Sequence, residues 1–215
     1  WHSERAGVVT ASMFSEVRKR VGGLDDRQTE LVRLVRQEGR EYKAAAKDAG
    51  YATPPKAEKI QRAINGESVG DFTQSAKDYA FRLACERISW APLDEGFQTW
   101  AMRRGHEMEP IAREAHAKRI GMEIQRTGLV LTDDRRFGAS ADGLIGKDGG
   151  SEYKAFVAPE KLRSIIVDGD WGDVRDQAQG CMWLSGRNWW HLCLYCPALE
   201  PAGRDLVIHE ERRDD

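Results

Sequence analysis

The spacing of the apolar residues changes near Gly121, and this change constrains the fold more than any other feature of the sequence. Before it, stretches such as DFTQSAKDYAFRLACERISW carry apolar residues at i, i+3 and i+4, which is typical of amphipathic helices. After it, stretches such as MEIQRTGLVLTD and DLVIHEER have a period of about two, which indicates strands. Helices followed by strands predict an α/β fold: a mixed central sheet flanked by helices, with a helical elaboration at the N-terminus.

Glycines and prolines divide this pattern into elements. A short helix is expected to end at Gly22-Gly23, and the next stretch, 25–50, is predicted to be helical throughout. Pro110 is expected to kink or interrupt the helix that Gly121 caps. Three consecutive strands, one helix and two further strands are then predicted to complete the chain.

Cysteine, histidine and hydropathy patterns argue against several classes of protein. Four cysteines in 215 residues are too few and too unevenly spread for a disulfide scaffold. Cys193 and Cys196 point to opposite faces of a predicted strand, and without a second pair they do not predict structural zinc. His106, His116 and His191 are interpreted as structural, because nothing pairs them at ligand spacing. The chain has no apolar run of roughly 18 residues and its first residues do not resemble a signal peptide, so we expect a cytoplasmic protein without a membrane partner.

The charge distribution leaves the partner open. The formal net charge is −2, so the total charge does not predict a polyanion partner. Basic residues nevertheless cluster at 18–20, at 103–105, and at Arg33, Arg36, Arg40, Lys43 and Lys47. Each cluster by itself favours a solvated surface, whereas clusters gathered round a channel could bind a phosphate backbone.

Three residues in ADGLIGKDGGSEYK have side chains suited to phosphodiester chemistry. Glu152 and Lys154 lie two apart in a predicted strand, so their side chains share a face. Asp142 lies on the preceding strand, and the connecting loop returns it towards Glu152. Two converging carboxylates favour a hard divalent cation such as Mg²⁺ or Mn²⁺, and a lysine beside them can contact a phosphate oxygen or orient a water.

The register of this hairpin decides whether the carboxylates meet. A two-residue turn at Asp148-Gly149 would place Asp142 on the face of Tyr153, away from Glu152. We therefore predict an irregularity, either an extra residue in the turn, such as a glycine bulge at Gly149 or Gly150, or a sharp bend at Asp142-Gly143. The spacing by itself favours an exposed hairpin with ordinary surface charges, because this pattern often arises by chance.

Four motifs along the chain connect these residues to a known family. They are WHSERAGVVTAS, RRGHEMEPIARE, FGASADGLIG followed by GGSEYK, and QAQGCMW. In order and spacing they resemble the successive motifs of the phage lambda exonuclease, or YqaJ-type viral recombinase, family of the PD-(D/E)xK nuclease superfamily. The resemblance implies one nuclease domain over residues 1–215, with a catalytic core of about 96–215 plus the segment 1–21, and the helical elaboration at about 22–95.

This resemblance implies a metal-dependent 5′→3′ exonuclease that acts on linear double-stranded DNA, releases 5′-mononucleotides and leaves a 3′ overhang for phage-type homologous recombination. It also implies a substrate end with a 5′-phosphate, a homotrimer ring, and a single-strand annealing protein as the partner in a bacterial host. The alternatives are a restriction- or repair-type DNA endonuclease that shares only the fold, and a DNA-binding subunit with weak catalysis.

The family's motifs assign metal and catalytic roles to five residues. Asp142 and Glu152 match metal-binding carboxylates, and the backbone carbonyl of Tyr153 would complete the ligands of one Mg²⁺ ion, with Mn²⁺ as the other candidate. Glu109 matches an acidic ligand of a second ion. Lys154 matches the catalytic lysine. Two ions can activate a water and stabilise the leaving oxygen of an in-line displacement.

The remaining matches concern the water and the DNA end. Gln177 matches a position that helps to orient the attacking water. Arg5, Thr10 and Ser12 match a pocket for the terminal 5′-phosphate, and Trp1 matches an aromatic residue near the scissile nucleotide. Taken singly, each residue also has an ordinary structural interpretation, such as a helix entry, a helix surface or a core aromatic.

Overall fold

The computed structural model describes residues 3–93 and 99–214 of the chain. These residues divide into two compact units: Val17–Asp78, and the described parts of Trp1–Glu16 and Tyr79–Asp215. Among the described residues, no helix is both long and apolar enough to cross a membrane. The organisation as one nuclease domain stays a prediction.

Strands and helices of the described residues are numbered in chain order. The strands are β1 Val9–Thr10, β2 Arg20–Val21, β3 Asp71–Phe72, β4 Ile124–Gln125, β5 Leu129–Leu131, β6 Phe137–Ser140, β7 Gly143–Ile145, β8 Gly149–Lys154, β9 Trp189–Tyr195 and β10 Leu206–Arg212. The α-helices are α1 Phe14–Arg18, α2 Asp26–Arg36, α3 Tyr42–Asp48, α4 Glu58–Ile64, α5 Gln74–Ser89, α6 Trp100–Ile120, α7 Pro159–Ile166 and α8 Asp173–Ser185. Short 3₁₀ helices cover Ser3–Arg5, Ala11–Met13 and Pro197–Ala202.

A five-stranded sheet in the order β10-β9-β8-β7-β4 forms the centre of the larger unit. β8 and β9 are parallel, and the other neighbouring strands are antiparallel, so the predicted mixed sheet is confirmed. Two glycines allow β8 to approach β9 closely. A Cβ atom at Gly149 or Gly150 would lie within 2.3 Å of ring atoms of Trp189 or Trp190. These glycines therefore contribute to packing as well as to the turn.

Helices α6 and α8 cover opposite faces of this sheet. On β9, Leu192 packs in the cluster that contains α8, and Cys193 packs in the cluster that contains α6. Neighbouring residues of a strand point to opposite faces, so the two helices lie on different sides. On β8, Tyr153 belongs to the α6 side, which directs Glu152 and Lys154 to the α8 side. β8 is thus held between the helices that carry Glu109 and Gln177.

The N-terminal segment is attached through a second, three-stranded sheet in the order β1-β6-β5. β1 runs parallel to β6. The rings of Phe14, Phe137 and Trp183 pack with centroids 5.3 to 6.2 Å apart, which fixes the start of α1 against β6 and α8. β6 ends at Ser140, two residues before Asp142. The pairing of β1 with β6 therefore places the N-terminal segment near Asp142.

In the smaller unit, α2, α3 and α4 share one apolar core. Its fully or nearly buried members are Leu31, Leu34, Ala45, Ala46 and Ile60. Strand β2 pairs with β3 in the same unit. A separate core of this kind lets the unit hold its own helices together.

The prediction of one continuous helix over 25–50 is wrong. Helix α2 ends at Arg36 and α3 begins at Tyr42. Gly39 between them has a φ of 66°, a left-handed conformation that breaks the helical path. The Glu41 carboxylate then accepts hydrogen bonds from two backbone amides at the start of α3, so a new N-terminus is capped there.

Part of the basic cluster in this stretch is neutralised. Arg33 forms ion pairs with Glu30 and Glu38, and Arg40 forms ion pairs with Glu38 and Asp48. All five side chains are substantially exposed. This arrangement is a solvated ion-pair network, the first of the two interpretations considered for the cluster.

The prediction of three consecutive strands is wrong: the first two predicted strands each form two, β4 with β5 and β6 with β7, so five strands lie between α6 and α7. Three further details differ from expectation. α6 continues through Pro110 without interruption; Pro110 is exposed, so the carbonyl that loses its helical donor can be hydrated. α7, which begins with Pro159 and buries Ile165, was not expected, because eight residues are too few for its periodicity to stand out. α1 ends at Arg18, and Arg20–Val21 form β2 instead of extending that helix to the glycines.

Candidate active site

Asp142 and Glu152 lie opposite each other across the β7-β8 pairing. Gly143 pairs with Ser151, so the next position outward aligns Asp142 with Glu152. The turn consists of residues 146–148, and the two-residue turn considered from the sequence is not formed. The register differs by an odd number of residues, which moves Asp142 to the face of Glu152.

The hairpin has a longer turn and a bend at Asp142, as predicted, but no bulge at Gly149 or Gly150, which pair regularly with Ile145 and Leu144. Gly146 has a φ of 54° in the longer turn, and the chain bends at Asp142. Asp142 Oδ2 accepts a hydrogen bond of 2.8 Å from the backbone amide of Tyr153. The bend and this hydrogen bond fix the Asp142 carboxylate beside β8.

Glu152, Lys154 and Gln177 form a closed triangle of hydrogen bonds. Lys154 Nζ donates to Glu152 Oε1 over 2.8 Å and to Gln177 Oε1 over 3.0 Å. Gln177 Nε2 donates to the same Glu152 oxygen over 2.7 Å. α8 supplies Gln177 and β8 supplies the other two, so the triangle joins α8 to β8.

The second oxygen of Glu152 has no such partner. Glu152 is 2% exposed, and its Oε2 atom is buried without a hydrogen bond from any residue that the structure describes. A buried carboxylate oxygen without a donor is costly. A bound ligand, such as a cation, would therefore satisfy Glu152 Oε2, which no donor of the described residues reaches.

Charge at the site is unbalanced towards the negative. Burial and the neighbouring Glu152 raise the pKa of Asp142 well above its usual range, although the Tyr153 amide opposes the shift. Burial alone would lower the pKa of Lys154, but attraction to Glu152 outweighs it and the net shift is upward. Lys154 therefore stays an ammonium at neutral pH, while a further cation beside Asp142 would favour the ionised form of its carboxyl.

Glu109 reaches the same site from α6, together with an arginine that the sequence did not single out. Arg113 forms an ion pair with Glu109, and its Nε donates to the backbone carbonyl of Asp142 over 2.9 Å. The i, i+4 spacing of the two residues on one helix was the available signal. Among the described residues, no three His, Cys, Asp or Glu side chains already form a metal-binding group. Arg113 is ion-paired with the Glu109 carboxylate, which would otherwise be a third acidic group beside Asp142 and Glu152.

One cavity collects the predicted site residues. Its volume is about 730 Å³. It is lined by every predicted site residue that the structure describes, namely Arg5, Thr10, Ser12, Glu109, Asp142, Glu152, Tyr153, Lys154 and Gln177. Trp1, the remaining prediction, lies outside the described residues. The N-terminal segment and the carboxylates thus face the same space.

Arg5, Thr10 and Ser12 form a polar wall of this cavity. The hydroxyl oxygens of Thr10 and Ser12 are 3.2 Å apart at the start of the 3₁₀ helix Ala11–Met13. Burial lowers the pKa of Arg5, with the neighbouring Tyr79 raising it. A largely desolvated guanidinium beside two hydroxyls can recognise an anion such as a phosphate group.

A buried hydrogen-bond chain supports β8 from its other face. His116 of α6 is fully buried; its Nδ1 lies 2.9 Å from the Tyr153 hydroxyl and its Nε2 lies 2.9 Å from His191 Nδ1. Ser151 donates to the same hydroxyl over 3.1 Å. His116 and His191 pair with each other, which their separation in sequence did not reveal. The chain ties α6 to the strand that carries Glu152.

A family comparison is consistent with this geometry. The family model for the YqaJ-like viral recombinase domain matches residues 1–186, which is most of the chain. No curated protein sequence matches the chain.

Three solved structures that are similar to this chain in fold are of exonucleases. An alkaline exonuclease, LHK-Exo, from Laribacter hongkongensis is 24% identical with a TM-score of 0.68, over 100% of this chain and 82% of that one. The same enzyme in complex with dAMP gives a TM-score of 0.65, at the same identity and coverage. A phage-related exonuclease from Haemophilus somnus 129PT is 14% identical with a TM-score of 0.52, over 91% of this chain and 86% of that one. The chain has the mixed α/β fold of PD-(D/E)xK-type nucleases.

Proposed function

Because this chain belongs to the YqaJ-like viral recombinase family, we propose that it is a metal-dependent exonuclease that degrades one strand of linear double-stranded DNA from the 5′ end. The products would be 5′-mononucleotides and a duplex with a 3′ single-stranded overhang. The observation that carries the proposal is the buried, unpartnered Glu152 Oε2 beside Asp142 in a cavity that also holds Lys154.

The carboxylates fit a divalent cation. Asp142 and Glu152 are hard oxygen donors, and the upward shift in the pKa of Asp142 reflects buried negative charge that a cation would neutralise. With the carbonyl of Tyr153 they would hold one Mg²⁺ or Mn²⁺ ion. Glu109 would serve a second ion by releasing or sharing Arg113. Bound ions of this kind would neutralise charge on the phosphodiester and make hydrolysis possible at neutral pH.

Lys154 and Gln177 act as a fixed pair in this proposal. The Lys154 ammonium is held by two hydrogen bonds, and its third N–H would donate a hydrogen bond to a phosphate oxygen of the scissile group. Gln177 is oriented by its contacts with Glu152 and Lys154, which would align a water with the phosphorus. Neither side chain needs to move before reaction, so their positions cost little reorganisation.

Arg5, Thr10 and Ser12 would hold the terminal 5′-phosphate. After each cleavage the shortened strand carries a new 5′-phosphate, which would re-form the same anchor and set a step of one nucleotide. The relative from Laribacter hongkongensis has been solved with the mononucleotide dAMP, which supports a site of mononucleotide size. Trp1 would lie near the scissile nucleotide.

The assembly and partners follow from family membership alone. We extend the proposal to a homotrimer ring around the duplex and to a single-strand annealing protein that receives the 3′ overhang, in a phage-type recombination pair. Analytical ultracentrifugation gives the oligomeric state directly, and a monomer at micromolar concentration would remove the ring from the proposal.

Three substrates and a chelator test the function. Linear duplex with 5′-phosphates, the same duplex with 5′-hydroxyls, and a covalently closed plasmid are incubated with Mg²⁺, and each is repeated with excess EDTA. The proposal predicts rapid mononucleotide release from the first, slow release from the second and none from the third or from any reaction with EDTA. Cleavage of the closed plasmid would instead identify an endonuclease, and activity in EDTA would exclude the metal-dependent mechanism.

A further inference from the structure

Trp100 and Arg104 form a pair at the N-terminal end of α6. They are one helical turn apart, and the Arg104 guanidinium carbon lies 5.9 Å from the centroid of the Trp100 ring. Trp100 is 60% exposed, which is unusual for the largest apolar side chain. Both residues line the cavity that holds the carboxylates.

Arg104 lacks a partner for a buried donor. Its Nε atom is buried and makes no hydrogen bond with any residue that the structure describes. Arg113, farther along the same helix, is instead satisfied by Glu109 and by the carbonyl of Asp142. A desolvated guanidinium nitrogen without an acceptor is costly, so an anion entering the cavity would relieve the cost at Arg104.

The position of the pair indicates which part of a nucleic acid it meets. Arg104 precedes Glu109 by five residues, which is about 7.5 Å along a helix axis. That distance is of the order of the spacing between neighbouring phosphates on one strand. The Arg5, Thr10 and Ser12 wall already accounts for the 5′ side of the scissile bond, so the pair is assigned to the 3′ side.

We propose that Trp100 and Arg104 form a binding subsite for the strand on the 3′ side of the scissile phosphodiester, with Arg104 on a phosphate and Trp100 stacked on a base. The subsite rests on the proposed function for its substrate. Aromatic stacking and a guanidinium fork recognise any base and any phosphate, as an enzyme that digests every sequence requires. Arg126, an exposed cation on the same cavity, would extend the path of the strand.

Binding measurements separate the two contacts. A chain carrying Lys154→Ala, in which turnover should be slowed by about a hundredfold or more, is titrated in EDTA with a fluorescent 5′-phosphorylated duplex over a range of NaCl concentrations. Adding Arg104→Ala should weaken binding about tenfold and reduce the slope of log K against log[salt] by about 0.9, as expected for one lost phosphate contact. Adding Trp100→Ala should weaken binding by a similar factor without changing the slope, because stacking releases no counterion.

A matched control and a second variant make the result decisive. Lys118→Ala removes an exposed cation from the last turn of the same helix, which pairs with Glu114 and does not line the cavity, and it should change neither affinity nor slope. Arg104→Lys keeps the charge, so it should retain the slope while losing part of the affinity. An Arg104→Ala chain that melts like its parent and binds with unchanged slope would overturn the subsite.

Two further outcomes identify what has failed. A 5′-phosphorylated single strand should lose affinity with Arg104→Ala as the duplex does, and an effect confined to the duplex would place Arg104 on the complementary strand and overturn the assignment. Preference for a 5′-phosphate should survive Arg104→Ala, because that preference belongs to the Arg5 wall. Failure of the unsubstituted chain to digest linear duplex would contradict the proposed function, whereas the binding slopes read the subsite without turnover.

Discussion

Lys154 follows Glu152 by two residues on β8, and its Nζ donates a hydrogen bond of 2.8 Å to Glu152 Oε1. The strand period alone puts both side chains on one face, and the contact fixes the ammonium next to the carboxylate. Since attraction to Glu152 raises the pKa of Lys154 despite burial, the lysine is a permanent cation in the site and not a base.

Lys154→Ala should lower the rate of turnover by about a hundredfold or more, because a fixed charge aimed at the phosphate is lost. Binding of duplex should change little, since many other contacts hold the DNA. Single-turnover digestion and fluorescence anisotropy measure the two effects, with Lys161→Ala on the exposed surface of α7 as the control. A Lys154→Ala enzyme with near-normal rates would refute this role.

Asp142→Asn should make the metal-free protein more stable at neutral pH. The raised pKa of Asp142 means that the folded state favours the protonated acid, so stability is lost as pH rises above the unfolded value of 3.8. The amide removes the repulsion with Glu152, and each kcal/mol relieved should raise Tm by about 2–4 °C.

The same variant tests the metal site without an activity assay. Mg²⁺ should raise the Tm of the unsubstituted protein and have a much smaller effect on Asp142→Asn, as followed by differential scanning fluorimetry. Equal stabilisation of both proteins by Mg²⁺ would show that the ion binds elsewhere.

Arg5→Ala should abolish the difference in initiation rate between 5′-phosphate and 5′-hydroxyl duplexes, mainly by slowing the phosphorylated substrate. The expected loss is about tenfold to a hundredfold for one charge-assisted contact. Arg135→Ala is the matched control, because Arg135 is an exposed arginine that pairs with Glu4 and does not line the cavity. A variant that still prefers 5′-phosphate ends would remove Arg5 from the pocket.

Acid should destabilise the fold through His116. Burial, with His191 adding to it, lowers the pKa of His116 from 6.5 to about 4, so the folded state excludes a proton that the unfolded chain accepts. Stability contributed in this way is complete above pH 6.5 and declines as pH falls towards 4, by at most about 3 kcal/mol. Urea unfolding between pH 7 and pH 4.5 should be less pH-dependent in His116→Gln than in the unsubstituted protein.

His106→Gln provides the comparison for that measurement. His106 is an exposed residue on the same helix, so its replacement should leave the pH dependence of unfolding unchanged. Identical pH profiles for His116→Gln and the unsubstituted protein would exclude His116 as the acid-sensitive group.

The sequence predicted helices before strands and a mixed sheet, because periodicity reports which faces of an element are buried. It did not predict that the first two strand-like stretches after Gly121 are each divided into two strands, shared between two sheets. It did not predict the break between α2 and α3, since a single glycine at position 39 and the cap at Glu41 outweigh a helical pattern of apolar residues. α7 was missed for the opposite reason: its eight residues are too few to establish a period.

Part of the candidate site could be predicted from the sequence, and part of it could not. Glu152 and Lys154 could be placed on one face from their spacing, and the need for an irregular turn could be derived from the register of Asp142. The contacts of Arg113 with Glu109 and the pairing of His116 with His191 depend on how α6 packs on the sheet. That packing joins residues that are far apart in sequence, so no local pattern contains it.

The direction of digestion shows whether the protein is an exonuclease that degrades one strand from its 5′ end. A linear 5′-phosphorylated duplex carries one radiolabel in the 5′-terminal nucleotide and another in the 3′-terminal nucleotide of the same strand, and both labels are followed with time in Mg²⁺. We expect a 5′→3′ exonuclease to release the 5′ label first, as a mononucleotide, and to leave the 3′ label in the shortening strand until last. Release of the 3′ label first, or of both labels in oligonucleotides, would contradict it.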